Sequence, residues 1–322
     1  MLTVIVTGAA GFIGMHLCQR LLDRGQAVIG VDDFNPYYEV SLKEARAARL
    51  LAQPSFELVR MDVAEAEAFQ ALTARVRPDL IVHLAAQAGV RYSIENPFAY
   101  ERANMAGHLS VLEACRQVAV PQLVYASSSS VYGERPLNAG GFTEADPTDH
   151  PASLYAATKR GCELMSAAYG SLYGLAQTGL RFFTVYGPWG RPDMAYFSFS
   201  RKIMAGETID VFGEGQMARD FTYIDDIIEG LIGVIDHPAT AGEHRLFNIG
   251  DSRPVGLMRM IEVLELALGR IAIKRMLPMQ PGDVSATFAD VTKLKALCDY
   301  EPKIALEEGL PKFVHWFQTF AR

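Results

Sequence analysis

Tyr155-Ala156-Ala157-Thr158-Lys159 sets a phenol and an ammonium four residues apart. On a helix the two share one face, one turn apart. An ammonium beside a phenol favours the phenolate, drawing a phenol's pKa down from its usual value of roughly 10. A phenol so tuned can exchange protons with a substrate hydroxyl near neutral pH. Tyr/Lys pairs at this spacing also occur on surface helices without any chemistry, so what stands upstream decides. About 25 residues earlier, Ser127-Ser128-Ser129-Ser130-Val131-Tyr132-Gly133 brings four hydroxyls together. Taken alone the serines read as a polar loop, but they follow directly on the strand-like run Leu123 to Ala126.

Oxidising a carbon-bound hydroxyl needs a hydride acceptor as well as a base, and the amino-terminal stretch can hold one. Leu2 to Val6 is a continuous apolar, β-branched run, as a buried parallel strand should be. Thr7-Gly8-Ala9-Ala10-Gly11-Phe12-Ile13-Gly14 follows, then Ile13, Leu17 and Leu21 at helical spacing, then a second strand, Ala27 to Val31, ending in Asp32-Asp33. In this order Gly8 permits a tight turn, Gly11 lets backbone approach a pyrophosphate, and Gly14 lets the helix pack on the strand. The helix start at Gly11, Phe12 and Ile13 offers unpaired N–H groups to phosphates. Asp32, 18 residues past Gly14, is placed to accept from the adenosine ribose hydroxyls and would repel a 2′-phosphate, so NAD is favoured over NADP.

The remaining elements must carry these groups to one edge. Phe56 to Arg60 reads as a third strand, with Asp62 and Val63 beyond its carboxyl end, near the adenine. Leu80 to Leu84 is a fourth, delivering Ala85, Ala86 and Gln87, small residues against which a flat cofactor can lie. Asn96-Pro97 reads as a cap and first turn of a long helix to about Val118. Leu123 to Ala126 is the fifth strand, a helix from near Ser153 to Tyr173 carries Tyr155 and Lys159, and Gln177 to Phe183 is the sixth strand. Alternation of this kind implies an α/β fold, a doubly wound parallel (Rossmann) sheet whose ligands lie outside the carboxyl ends of its strands. After Tyr186 the pattern loosens through the breakers Gly187-Pro188-Trp189-Gly190-Arg191-Pro192. We expect residues 1–186 to form the NAD-binding domain, with segments near 221–250 returning to it. Residues 187–322 should be mainly a smaller, interleaved, mixed α+β substrate-binding domain. Its elements are a helix near Phe197 to Ala205, strands around Ile209 to Phe212 and Phe221 to Tyr223, and helices at Asp225 to Asp236, Leu257 to Leu268 and Leu306 to Phe320.

Composition narrows the class. Thirty basic against 37 acidic residues give a formal charge of −7, which offers nucleic acid no footing. Cys18, Cys115, Cys162 and Cys298 are scattered without metal-like spacing and read as reduced packing thiols. The first strand follows the initiator Met, leaving no room for a signal peptide, and no apolar run is long enough for a membrane span. The expectation is a cytoplasmic enzyme with no metal.

The glycine turn, serine run and Tyr/Lys pair together resemble the extended short-chain dehydrogenase/reductase superfamily, over essentially the whole chain. That resemblance implies Tyr155 as general acid/base, Lys159 as its tuner and holder of the nicotinamide ribose, and Ser128 as the residue orienting the substrate hydroxyl, with Ser127 its nearest competitor. Sugar-nucleotide 4,6-dehydratases and UDP-glucuronate decarboxylases carry acids just after the equivalent of Ser128. This chain has Ser129 and Ser130, so it lacks the second acid/base that elimination needs, and an epimerase is implied.

Three strings are similar to UDP-glucuronate 4-epimerases: Asp32-Asp33-Phe34-Asn35-Pro36-Tyr37-Tyr38 with Ser41-Leu42-Lys43, Ala85 to Ser93 with Glu95-Asn96-Pro97, and Val185 to Met194. The resemblance puts Asn35 and Leu84 at the cofactor. Ser129, Ser130 and Thr184 would surround a uronate carboxylate with hydroxyls. Arg219 in Arg219-Asp220-Phe221 resembles a diphosphate-binding arginine, and Asp283 in Gln280-Pro281-Gly282-Asp283 the segment holding ribose and phosphates, although many relatives carry arginine where Gln280 stands. Arg191 either contacts the nucleotide or forms a salt bridge, and Phe212 either stacks near the uracil or belongs to the core. The expected reaction interconverts UDP-glucuronate and UDP-galacturonate through a 4-keto sugar with bound NAD. The rivals are a UDP-glucose/UDP-galactose-type 4-epimerase or a UDP-glucuronate decarboxylase and, more remotely, a non-catalytic NAD(H) sensor. Family members pair through two long helices, which implies a homodimer through Pro97 to Val118 and Ser153 to Tyr173.

Overall fold

Along the first half of the chain, strands and helices alternate as β1 (Thr3–Thr7), α1 (Phe12–Asp23), β2 (Ala27–Asp32), α2 (Val40–Leu51), β3 (Phe56–Arg60), α3 (Ala66–Val76) and β4 (Leu80–His83). They continue as α4 (Tyr92–Glu95), α5 (Pro97–Tyr100), α6 (Gly107–Val118), β5 (Gln122–Ser128), α7 (Leu154–Tyr173) and β6 (Gln177–Phe182). The second half adds β7 (Thr184–Tyr186), α8 (Ala195–Ala205), β8 (Thr208–Phe212), β9 (Ala218–Tyr223), α9 (Ile224–Asp236) and β10 (His244–Ile249). It closes with β11 (Pro254–Gly256), α10 (Leu257–Leu268), β12 (Ile273–Leu277), β13 (Ala286–Thr287), α11 (Thr292–Cys298) and α12 (Leu306–Phe320). This computed structural model describes residues 1–134, 140–280 and 284–320.

Seven strands form one parallel sheet in the order β10-β6-β5-β4-β1-β2-β3. The order reverses between β1 and β4, the switch point at which such sheets open a crevice for ligands. Side chains of β1 alternate between two cores, as the two-residue strand period requires. Val4 and Val6 pack with Phe12 and Leu17 of α1 and with Ile224, Ile227 and Leu231 of α9. Ile5 turns the other way, to Phe69 and Leu72 of α3 and Val111 and Leu112 of α6. Helix α9 lies along α1, where Arg24 and Asp236 pair at 2.8 Å and Arg20 reaches Glu229. These exposed pairs are worth at most about 1 kcal/mol each, so apolar burial holds the two helices together.

Strand β9 heads a second sheet, pairing with β7, β11 and β13. Helices α8, α10 and α12 extend the first core around it through Phe197, Met260, Leu264, Phe313 and Phe317. Strands β8 and β12 form a separate two-stranded ribbon.

Two expectations need correction. The helix to Val118 is not uniform: α5 and α6 are joined by a π-helical stretch, Glu101–Ala106. Such a turn carries one extra residue, and buried Asn104 sits within it, bonded by its side chain to both the N–H and C=O of Gln87 and to Thr158 Oγ1. Nor does Asn96 cap α5 with its side chain. Helix α4 runs directly into it, and the Asn96 amide is spent on the Tyr92 hydroxyl at 3.0 Å. No helix among the described residues is long and apolar enough to cross a membrane.

Candidate active site

Helix α7 starts where the sequence places it, because Ser153 Oγ accepts from the Ala156 N–H at 3.2 Å, and it stops at Gly174 in the left-handed region. Tyr155 therefore stands in its first turn with Lys159 one turn on. The Tyr155 ring meets that of Tyr100 edge-on, 6.0 Å between centroids. Lys159 is buried and donates to the Ala126 carbonyl of β5 at 2.9 Å, which ties the helix to the strand bearing the serines. Beneath it lie two buried imidazoles. Burial, and then the charge of Lys159, pushes His83 down to about 3, so that ring is neutral. Its Nδ1 bonds Thr7 Oγ1 at 2.8 Å, while Thr7 Oγ1 accepts from the Ala85 N–H at 3.1 Å, holding the strand exit at Ala85 in place.

The serine run separates by role. Ser127 donates to Glu163 Oε1 at 2.6 Å. Glu163 also takes two bonds from Arg181, at 2.8 and 2.9 Å, in an ion pair whose side chains are 0% and 2% exposed. Burial raises the Glu163 carboxyl, but the bonds and charge of Arg181, with Ser127 and Arg160, outweigh it and leave it below the usual range. Ser128 instead makes a local turn: its Oγ lies 3.1 Å from Ser130 Oγ and accepts from the Ser130 N–H at 3.2 Å. That turn sets Ser128, Ser129 and Ser130 on the wall of a large cleft.

The cleft, about 720 Å³, runs along the carboxyl edge of the sheet and takes in every site residue named from the sequence except Asp283. Asp283, with Pro281 and Gly282, lies outside the described residues. At one end are Gly8, Gly11, Phe12, Ile13 and Gly14. Gly8 has φ +72°, and a Cβ on Gly14 would stand 2.0 Å from the Gly8 carbonyl oxygen, so the turn admits no side chain at either place. Helix α1 begins without a side-chain cap, leaving its first N–H groups free for an anion. Asp32 accepts from Ala10 N–H and Phe34 N–H, both at 2.9 Å. Asn35 and Asp62 accept from backbone N–H groups two residues on, and Asp62 also pairs with Arg102 at 2.9 Å. Val63, Leu84, Ala85, Ala86 and Gln87 complete this end. The glycine cradle, the uncapped helix start and the aspartate at the end of β2 fit a dinucleotide.

The other end is lined by Thr184, Arg191, Phe212 and Arg219. Arg191 forms the salt bridge, pairing with Asp193 through Nε at 3.0 Å and Nη2 at 2.5 Å, and it also lines the cleft. Burial raises the Asp193 carboxyl, yet Arg191 more than reverses this. Phe212 lines the cleft rather than closing the core, with the Arg91 guanidinium 4.9 Å from its ring centroid. Arg219 donates to the Ala218 carbonyl at 2.8 Å. Gln280 is not among the described residues lining the cleft. Several groups here have no role in the sequence reading. Tyr37, whose hydroxyl bonds Asp193 Oδ2 at 3.3 Å, and Lys43 line the cleft without a motif of their own. Glu163 had a signal, standing four residues after Lys159, and so did Arg181, a charge in a buried strand that demands a partner.

A doubly wound sheet whose dinucleotide-type turn opens on the same cleft as a tyrosine, a lysine and a serine turn defines a class, the nucleotide-dependent α/β enzymes. Comparison with known proteins narrows it. A profile of the NAD dependent epimerase/dehydratase family matches residues 4–250, and the chain belongs to that family. It is 46% identical over 335 residues to a probable UDP-glucuronate 4-epimerase of Rhizobium meliloti, covering 99% of this chain and 98% of that one. It is 45% identical to UDP-glucuronate 4-epimerase 4 of Arabidopsis thaliana, over 99% of this chain and 76% of the relative. Among solved structures, a UDP-glucuronic acid 4-epimerase from Bacillus cereus in complex with UDP-glucuronic acid and NAD superposes with a TM-score of 0.92, at 33% identity, over 99% of both chains. A UDP-glucose 4-epimerase from Thermotoga maritima with UDP-glucose gives 0.90 at 29% identity over 100% of both.

Proposed function

We propose that this chain is an NAD-dependent UDP-glucuronate 4-epimerase. The observation that carries the reading is the serine turn: Ser129 and Ser130 line the cleft beside Ser128 and Tyr155 where an eliminating relative would carry acids. The cleft's carboxylates among the described residues are Asp32, Asp33, Asp62, Asp193 and Asp210, and none lies on that turn. NAD, when bound, would supply the hydride acceptor and donor for C4. Tyr155 takes the proton from the 4-hydroxyl and later gives it back, with the charge of Lys159 one turn away and Ser128 orienting the oxygen. Gly8, Gly11, Phe12, Ile13, Gly14, Asp32, Asn35, Asp62, Val63 and Leu84 to Gln87 would hold the cofactor. Arg191 and Arg219 would meet the diphosphate, and Phe212 the base.

Ser129, Ser130 and Thr184 offer hydroxyl donors to the uronate carboxylate. A 4-keto uronate is a β-keto acid, prone to lose carbon dioxide, and neutral donors restrain the carboxylate without a proton to deliver. Purified protein given UDP-glucuronate should yield UDP-galacturonate and no carbon dioxide. UDP-pentose with carbon dioxide as the chief products would overturn the reading.

The partner we propose for the chain is a second copy of itself. Phe98 of α5 is 81% exposed and Leu172 of α7 71%, with Leu109 of α6 and Leu154, Leu164 and Tyr173 of α7 also exposed. Apolar side chains gathered this way mark an association surface. Light scattering should give twice the chain mass, and Leu172→Glu should shift it towards the monomer.

A further inference from the structure

Arg46 of α2 is fully buried, and no carboxylate is among its acceptors. Its Nε donates to the Trp189 carbonyl at 3.1 Å. Nη1 donates to the Ala10 carbonyl at 3.2 Å and the Tyr38 hydroxyl at 2.7 Å. Nη2 donates to the carbonyls of Trp189 at 2.5 Å and Gly190 at 2.9 Å. These five bonds use the five N–H donors of a guanidinium. A buried cation without a counter-ion is costly unless every donor is answered, and here backbone dipoles and one hydroxyl answer them all.

The acceptors lie on two stretches far apart in sequence. Ala10 belongs to the glycine turn. Trp189 and Gly190 belong to the segment that leads straight to Arg191 and Asp193 on the cleft wall. Trp189 sits at φ +64°, a conformation that costs a non-glycine residue energy and persists only where its surroundings impose it. Next to it, a Cβ on Gly190 would stand 2.0 Å from the Tyr196 hydroxyl. The segment is therefore held in a shape it would not choose, and Arg46 grips it at two consecutive carbonyls.

We propose that Arg46 is a positioning residue that fixes the Arg191–Asp193 end of the cleft relative to the glycine turn, so that sugar nucleotide and cofactor are held in one frame. The identity of those ligands rests on the function proposed above. A lysine at this place keeps the charge but concentrates its three donors on one atom and cannot span both stretches. The chain's two tryptophans, Trp189 and Trp316, have ring centroids 5.2 Å apart, so tryptophan emission reports this segment.

The test compares holoenzyme and Arg46→Lys in KM, kcat, NAD content after gel filtration, and tryptophan emission titrated with UDP. The variant should raise the KM for UDP-glucuronate about tenfold with kcat within about twofold, retain less NAD, and shift its emission to the red. A lower Tm with KM, NAD content and emission unchanged would make Arg46 merely structural and overturn the proposal. If Arg46→Lys does not fold, Tyr38→Phe, which removes one acceptor, should move emission and UDP affinity the same way, by about threefold; wild-type values there overturn the proposal. Wild-type protein inactive on UDP-glucuronate would count against the function instead, and the UDP titration would still decide the role of Arg46.

Discussion

Ser127 donates its hydroxyl to buried Glu163 at 2.6 Å, while the hydroxyl of its neighbour Ser128 is engaged only within the serine turn on the cleft wall. Neighbouring strand residues point to opposite faces, and here that alternation divides stability from chemistry. Ser127→Ala should cost about 1–3 kcal/mol of unfolding free energy, since a buried carboxylate loses a donor, while kcat stays near wild type. Ser128→Ala should leave urea stability alone and lower kcat about a hundredfold. The reverse pattern would exchange the roles of the two serines.

Tyr155 is held by the start of α7 and by ring contact with Tyr100, so removing its hydroxyl leaves the fold intact. Tyr155→Phe should retain wild-type NAD content and Tm yet lose a factor of about a hundred to ten thousand in kcat. Unchanged turnover would move the acid/base role to another residue.

The Glu163–Arg181 pair sets a pH limit on stability. The folded carboxyl lies below its ordinary value of 4.5, so the folded state favours the charged form. Its contribution is complete above the unfolded-state value and is lost as pH falls through the lower folded one. Glu163→Gln, which leaves a buried guanidinium unpaired, should cost about 3–5 kcal/mol at pH 7. In urea titrations the gap between wild type and variant should narrow below about pH 4.5. A gap constant from pH 3 to pH 7 would contradict this linkage.

Gly14 faces the Gly8 carbonyl, and an added Cβ would stand 2.0 Å from it. Gly14→Ala must therefore open the turn. The purified variant should carry no NAD by absorbance after heat release, and added NAD should restore little activity. Full cofactor content would mean that the turn relaxes at no cost.

The fold was legible because its signals are local. Apolar β-branched runs in β1 and β2, the glycine turn between them, and Ser153 before a helical period in α7 each decide their own conformation. Tyr155 and Lys159 were legible because helical spacing alone brings them together. Arg46 was not, since its acceptors at Ala10 and Trp189 become neighbours only after α2 packs on the turn and the 187–193 segment crosses it. The π-helical stretch escaped for a related reason: its residues read as ordinary helix, and what favours the extra residue is the tertiary partner set of Asn104. Phe212 could be assigned to cleft or core only once β8 had a place.

The sheet's outermost strand on one side is β10, residues His244–Ile249, registered on β6 from Gln177 to Phe182. A growing chain thus completes β6 some 60 residues before the strand that covers it exists. Until then an edge whose every residue is buried in the finished protein stays open, the kind of edge that recruits strands from other chains. During synthesis the ribosome exposes this edge for several seconds, and chaperone capture in that interval would protect yield. Expressing residues 1–186 alone would make the exposure permanent, and such a fragment should collect in inclusion bodies.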